Sequence, residues 1–195
     1  MGALPFFNTM AKQGVVSEKV FSFKIADEGS SLFLGGTDGD LYTGDIEYHK
    51  VDTLLGYWMT SGGQISVGDK PAVTGFHTII DTGTTIMYGS PSAVKKFYAH
   101  IPGSKLADLL HGYYSYPCSK KPDVSFSWGG KNWPISHEDF NLGETKKGSG
   151  MCVGALSGQD LGLPDGLWLL GDSFMKNVYT VFSFDKDVVG FANLK

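Results

Sequence analysis

Residues 79–88, Ile-Ile-Asp-Thr-Gly-Thr-Thr-Ile-Met-Tyr, constrain this chain more than any other stretch. Two β-branched apolar residues lead in and predict a buried strand. An acid, a small hydroxyl residue and a glycine then follow in immediate succession. Gly83 lets the backbone turn and approach closely where a Cβ would hinder it. Thr84 and Thr85 come next, and an apolar run resumes. A carboxylate at such a turn can be surrounded by backbone N–H groups and hydroxyls, which fix its position and protonation. The same residues also fit an ordinary strand ending in an Asp/Gly turn. Asp-Thr-Gly alone arises by chance in roughly a few per cent of chains this long. The rest of the chain must therefore decide.

A length of 195 residues fits one or at most two domains. Hydrophobic residues make up 42% and charged residues 18%, which is material for a large core. With 27 Gly, 13 Phe and 9 Tyr, the composition favours strands and tight turns over helix bundles. Net charge is −4 and the basic residues are scattered, so nucleic acid is not an expected partner. No apolar run approaches the length of a membrane span, so no membrane partner is expected either. The N-terminus shows neither the basic start nor the long apolar core of a signal peptide. Met1-Gly2 reads as an introduced start or as a fragment edge.

In chain order, Pro5 to Gln13 predicts a short helix stopped by Gly14. Val15 to Ala26 and Ser31 to Gly36 predict two strands of a hairpin around Asp27-Glu28-Gly29-Ser30. Tyr42 to Val51 and Tyr57 to Val67 predict two more, with a bulge or bend at Gly62-Gly63. A helix is expected from Ser90-Pro91 to about His100, with Ser90 as its N-cap. Residues 104–122 read as turns around Cys118. Val124 to Trp128 alternates, and Gly129 to Asn132 turns it into Trp133 to Ile135. Gly143 to Gly150 is a polar loop. Leu167 to Leu170 predicts a buried strand ending at Gly171, with Asp172 capping a short helix to Asn177. Val178 to Phe184 and Val188 to Leu194 predict a closing hairpin. The fold class is mostly β, with antiparallel sheets and two or three short helices.

Other chemistry finds little support. Asp38-Gly39-Asp40 lacks the rest of a calcium loop and reads as a polar turn. The five histidines have neither zincin nor zinc-finger spacing, so no metal is expected. There is no Gly-x-Ser-x-Gly elbow, no Walker loop and no dinucleotide fingerprint, so no cofactor is expected. His77 would lie about 13 Å from Asp81 along a strand, too far to act with it. Cys118 and Cys152 are too distant in sequence for a local metal or redox motif. They form either one disulfide or two buried thiols.

The ordered segments GVVSEKVFSFKI, SSLFLGGTDGDLYTGDIEYHKV, GYWMTSGGQISVG, IIDTGTTIMYGSP, PDVSFSWGG, MCVGALSG and LWLLGDSFMKNVYTVFSFDKDVVGFANL run along almost the whole chain. In that order they resemble the C-terminal half of a pepsin-like aspartic endopeptidase, and in tone the secreted fungal enzymes. The resemblance implies the C-terminal lobe of a bilobal fold with a ψ-shaped loop. Residues 1–36 would be the end of the first lobe and strands of the central sheet. Residues 37–195 would be the C-terminal lobe carrying the Asp-Thr-Gly loop. Asp81 would be the second catalytic aspartate. Thr82 would join the threonine network between the two active-site loops, Gly83 would bring backbone near the carboxylate, and Thr84 would bond its outer oxygen. Leu169-Leu170-Gly171 resembles the strand threading beside the Asp loop. Tyr57, Ile79, Thr85, Leu167 and Leu169 match substrate-pocket positions; without the resemblance they read simply as core. Cys118 and Cys152 match the disulfide of this lobe, which implies an oxidising compartment.

The resemblance also implies what a second lobe would add: another Asp-Thr-Gly loop and a flap over the substrate. Three functions are compatible. The first is half of a secreted or vacuolar aspartic endopeptidase that hydrolyses peptide bonds with an Asp-activated water. It would be inactive without its complementary N-terminal lobe. The second is a self-associating protease of retroviral type, in which two copies each bring one Asp81. The third is a noncatalytic domain that keeps the fold and a peptide-binding groove.

Overall fold

The computed structural model describes residues 4–164 and 166–195. Helix α1 (Phe6–Gln13) precedes a hairpin of β1 (Val20–Lys24) and β2 (Ser31–Leu34). Strands β3 (Tyr42–Lys50), β4 (Met59–Val67) and β5 (Lys70–Ile80) lead to Asp81. Next come β6 (Met87–Tyr88), α2 (Pro91–Tyr98), β7 (Lys105–Asp108) and β8 (Tyr113–Pro117). They are followed by β9 (Val124–Ser127), β10 (Trp133–Ile135), α3 (His137–Phe140), β11 (Asn141–Glu144), β12 (Met151–Gly154) and β13 (Leu156–Ser157). The chain closes with β14 (Leu167–Leu170), α4 (Asp172–Met175), β15 (Tyr179–Ser183) and β16 (Val188–Leu194). The class is mostly β, and α1 and α2 are the longer of its short helices.

Three sheets form, in the orders β2-β1-β15-β16-β3, β10-β9-β4-β5-β14-β6-β13 and β11-β12-β8-β7. Most pairings are antiparallel. The seven-stranded sheet departs from this at its centre. There β14 inserts between β5 and β6, parallel to the first and antiparallel to the second. Strands consecutive in the chain are thus separated in space by one that arrives much later, which is the ψ arrangement. The main core lies against this sheet and holds Trp168 stacked on Phe76, with ring centroids 4.3 Å apart, together with Phe126, Phe174 and Phe191. A separate cluster of Met59, Ile79 and Leu167 sits beside Leu163 and Leu169.

The structure differs from the sequence reading in places. Residues 104–122 contain the hairpin β7–β8, on the outer edge of the four-stranded sheet. Val124–Ser127 is buried at every position; β9 lies inside the sheet, between β10 and β4. Ser90 occupies the N-cap of α2, but its hydroxyl makes no cap bond. The N-cap of α4 is Gly171, and Asp172 is the first helical residue. β1 begins only at Val20 and β4 at Met59. The bulge falls at Gly62-Gly63, where the β4–β5 register shifts. Asp38 accepts the Asp40 N–H at 3.0 Å, a self-contained polar turn.

Cys118 and Cys152 form a disulfide, joining the end of β8 to β12. It closes a loop of 34 positions. Replacing both cysteines by alanine should cost about 3–4 kcal/mol in the chain-entropy picture. Urea unfolding measures the loss, and mass spectrometry of a non-reduced digest should find the linked peptides. Free thiols at both positions in folded protein would contradict this.

Candidate active site

β5 delivers Asp81 to one end of the seven-stranded sheet. Ile79 and Ile80 are buried and anchor the strand. The Asp81 N–H donates to the Leu170 carbonyl at 3.0 Å, extending the parallel β5–β14 pairing by one residue. The Thr84 N–H donates to the Asp81 carbonyl at 3.2 Å and closes the turn.

Each oxygen of the half-buried carboxylate has its own donor. Oδ1 accepts the Gly83 N–H at 2.9 Å, and Oδ2 accepts the Thr84 hydroxyl at 2.6 Å. The second distance is in the range of a charge-assisted O–H···O⁻ bond. A Cβ on Gly83 would lie 3.2 Å from Oδ1. The glycine serves this close approach; its φ is not in the left-handed region.

The loop is then stitched to the start of α4. The Thr84 carbonyl accepts the Asp172 N–H at 2.8 Å, and the Thr85 carbonyl accepts the Ser173 N–H at 3.0 Å and its hydroxyl at 3.2 Å. The Ile86 carbonyl accepts the Gly171 N–H at 3.2 Å.

Asp81 opens onto a groove of about 340 Å³ lined by Tyr57, Trp58, Ile79, Leu161, Leu163 and Leu169. The sequence-derived candidates Tyr57, Ile79 and Leu169 meet Asp81 here. Leu167 lines an adjoining depression and belongs to the same buried apolar cluster as Ile79. Thr85 does not line the groove; its carbonyl is bound to α4. Thr82 is exposed and faces a second depression with Ile25, Leu32 and Asp172. His77 is exposed and its backbone N–H pairs with Gly166. Trp58, Leu161 and Leu163 were not singled out from sequence. The available signal was two leucines in the otherwise polar and glycine-rich stretch 158–166.

Among the described residues, no second carboxylate hydrogen-bonds Asp81, and no cluster of three His, Cys, Asp or Glu side chains is placed to hold a metal ion. No helix among them is long and apolar enough to cross a membrane. What the site offers is one oriented carboxylate beside an apolar groove.

The sequence model described as "Eukaryotic aspartyl protease" matches residues 1–194. The chain belongs to that family. An aspartic protease of Phaffia rhodozyma is 41% identical over 195 residues, covering 96% of this chain and 46% of that protein. Cathepsin D of Homo sapiens is 35% identical over 200 residues, covering 97% of this chain and 48% of that protein. Cathepsin D of Bos taurus is 36% identical, with 97% and 50% covered. The chain therefore spans about half the length of the curated relatives it matches.

The loop generates two predictions. Thr84→Val removes the only side-chain donor to Asp81 Oδ2 among the described residues, and should destabilise the chain by about 1–3 kcal/mol. Thr84→Ser should restore most of the loss in the same urea titration. The second concerns Asp172. Burial raises its pKa above the usual 3.8; Lys176 opposes the shift and the charge of Asp81 adds to it. Its Oδ1 has no partner among the described residues. A raised native pKa means the fold binds the proton more tightly than the unfolded chain does. This contribution to stability is full below the unfolded value and lost as pH rises through the native one. Asp172→Asn should therefore gain on the parent as pH rises from 3 to 7, by unfolding midpoint. A difference independent of pH would contradict the assignment.

Proposed function

We propose that this chain is the C-terminal half of an aspartic endopeptidase and supplies one of its two catalytic carboxylates, Asp81. The observation that carries the reading is a carboxylate with a donor on each oxygen at the mouth of an apolar groove, in a chain of this family. Tyr57, Ile79 and Leu169 would contact an extended peptide substrate, with Leu167 behind them and Thr85 holding the loop. Thr82 would face the complementary half. Residues 1–36 would contribute the end of the first lobe and the central-sheet strands, and residues 37–195 the C-terminal lobe. The sharing of one sheet by β1, β2, β15, β16 and β3 is consistent with that role for the first segment.

Aspartic proteases are the reference case of two carboxylates sharing one proton across a water. One carboxyl donates to the substrate carbonyl while the other takes the proton of the attacking water. These 195 residues hold a single Asp-Thr-Gly loop. The second carboxylate would come from the complementary N-terminal lobe. Exposed apolar side chains support such a covering partner: Tyr57, in the groove wall, is 53% exposed, and Leu54 in the same loop 89%. Leu32, 50% exposed, lies beside Thr82. The family and the disulfide support a secreted or vacuolar protein.

An assay on denatured haemoglobin at acid pH, run across protein concentration, tests the reading. The isolated chain should be inactive. Adding the complementary half should restore turnover, and Asp81→Asn should lower it by about three orders of magnitude or more. Activity rising with the square of concentration and lost in Asp81→Asn would favour the self-associating protease. Activity linear in dilute monomer would overturn the half-enzyme reading. Peptide binding without turnover in the reassembled protein would favour a noncatalytic domain.

A further inference from the structure

The 16 basic residues of the chain are all lysines, and three adjacent pairs occur among them: Lys95-Lys96, Lys120-Lys121 and Lys146-Lys147. Their surroundings differ. Lys95-Lys96 lies inside helix α2, where no extended segment is on offer. Lys120-Lys121 is followed by Pro122, so the next peptide bond has no N–H. Lys146-Lys147 sits at the tip of the loop that joins β11 to β12, followed by Gly148, Ser149 and Gly150. Every residue from 142 to 150 is exposed. Exposed loop tips of small and polar residues are where endoproteinases gain access to a folded chain.

A single carboxylate gathers this loop. Glu144 accepts the Gly148 N–H on Oε2 at 2.7 Å and the Gly150 N–H on Oε1 at 2.8 Å. These two bonds hold its carboxyl below the usual range. The Ser149 N–H donates to the Lys146 carbonyl at 2.9 Å and closes the tip. All of these groups are exposed, so water replaces the bonds readily when the tip extends. Gly148 and Gly150, at φ +76° and +65° with open space around them, let the backbone swing out of the turn. The tip can therefore open without disturbing the core.

The ends that a cut between Lys147 and Gly148 would create are already provided for. The Gly148 nitrogen lies 2.7 Å from Glu144 Oε2, so an α-ammonium formed there would keep the bond and gain an opposite charge. Cys118 and Cys152 lie on either side of the cut and are bonded. Beyond it, β12 pairs with β8, β13 with β6, β14 with β5, β15 with β1 and β16 with β3. We propose that Lys147–Gly148 is a processing site, hydrolysed by an endoproteinase that reads paired lysines through acidic pockets. The protein then consists of two chains, 1–147 and 148–195, joined by the disulfide. Water adds across the peptide bond: the C–N bond breaks, the hydroxyl goes to the Lys147 carbonyl carbon and the proton to the Gly148 nitrogen. The Asp81 loop and β14, which clamps it, end on different chains, with Cys118–Cys152 as their only covalent tie. The proposal is independent of the endopeptidase reading above.

The test begins with the whole protein purified from the cells that make it. Its α-amino groups are labelled before digestion, and mass spectrometry should find a labelled Gly148. On a denaturing gel, the piece 148–195 should separate only after reduction. Lys146→Gln with Lys147→Gln should leave the chain uncut and its unfolding midpoint unchanged, because both side chains are exposed. A mature protein with no terminus at Gly148, a cut at another lysine pair instead, or a Gly148 terminus that persists in the double variant overturns the proposal. So does release of 148–195 without reduction. In the cut protein, Glu144→Gln should make the Gly148 amine react about two- to fivefold faster with acetic anhydride at neutral pH, as expected for loss of an exposed ion pair. Equal rates would overturn the capture of the new terminus by Glu144.

Discussion

Where β14 leaves the sheet, Gly171 lies so close to Thr84 that a Cβ at this position would overlap the Thr84 carbonyl. This backbone-to-backbone contact lets the Asp81 loop be clamped from two directions. On one side, Asp81 pairs with Leu170; on the other, Thr84, Thr85 and Ile86 accept N–H groups from residues 171–173. Any residue larger than glycine would push the two segments apart. The Thr84 hydroxyl would then move away from the carboxylate that it now meets at 2.6 Å. The geometry of the acid is thus set by a residue that never touches it.

The clamp also gives the surroundings of Asp81 their chemical asymmetry. The Gly83 N–H and the Thr84 hydroxyl meet the carboxylate from the loop, whose carbonyls are in turn held by N–H groups at the start of α4. On the groove side the neighbours are Ile79, Leu161, Leu163 and Leu169. A carboxylate in this position is oriented by fixed donors on one side and faces open apolar surface on the other. Asp172 lies on the polar side, and its burial beside the same loop explains why its ionised form is disfavoured.

Much of this was legible before any coordinates. Ile79-Ile80 and Leu167–Leu170 are unbroken apolar runs, as expected of strands buried on both faces. The closing hairpin showed in its turn, where Asp187 takes a left-handed φ of 50°. The pairing of β5 with β14 was not legible from periodicity alone, because partners this far apart are matched by burial and not by local pattern. Only the resemblance to a known family supplied it. The hairpin β7–β8 escaped because its outer strand is largely exposed and Leu106, Leu109 and Leu110 follow no strand alternation. Leu161 and Leu163 escaped for a related reason. Leucines in a loop carry no period, and only the fold shows that they wall the groove.

The order of the strands in space also governs when the protein can assemble. β5 and β6 are made first, but the strand between them comes from residues 167–170. During synthesis the Asp81 turn therefore lacks these partners until residues 167–173 have been made. β1 waits still longer for β15. Pairings of such long sequence separation are slow to form, and unpaired apolar strands associate wrongly in the meantime.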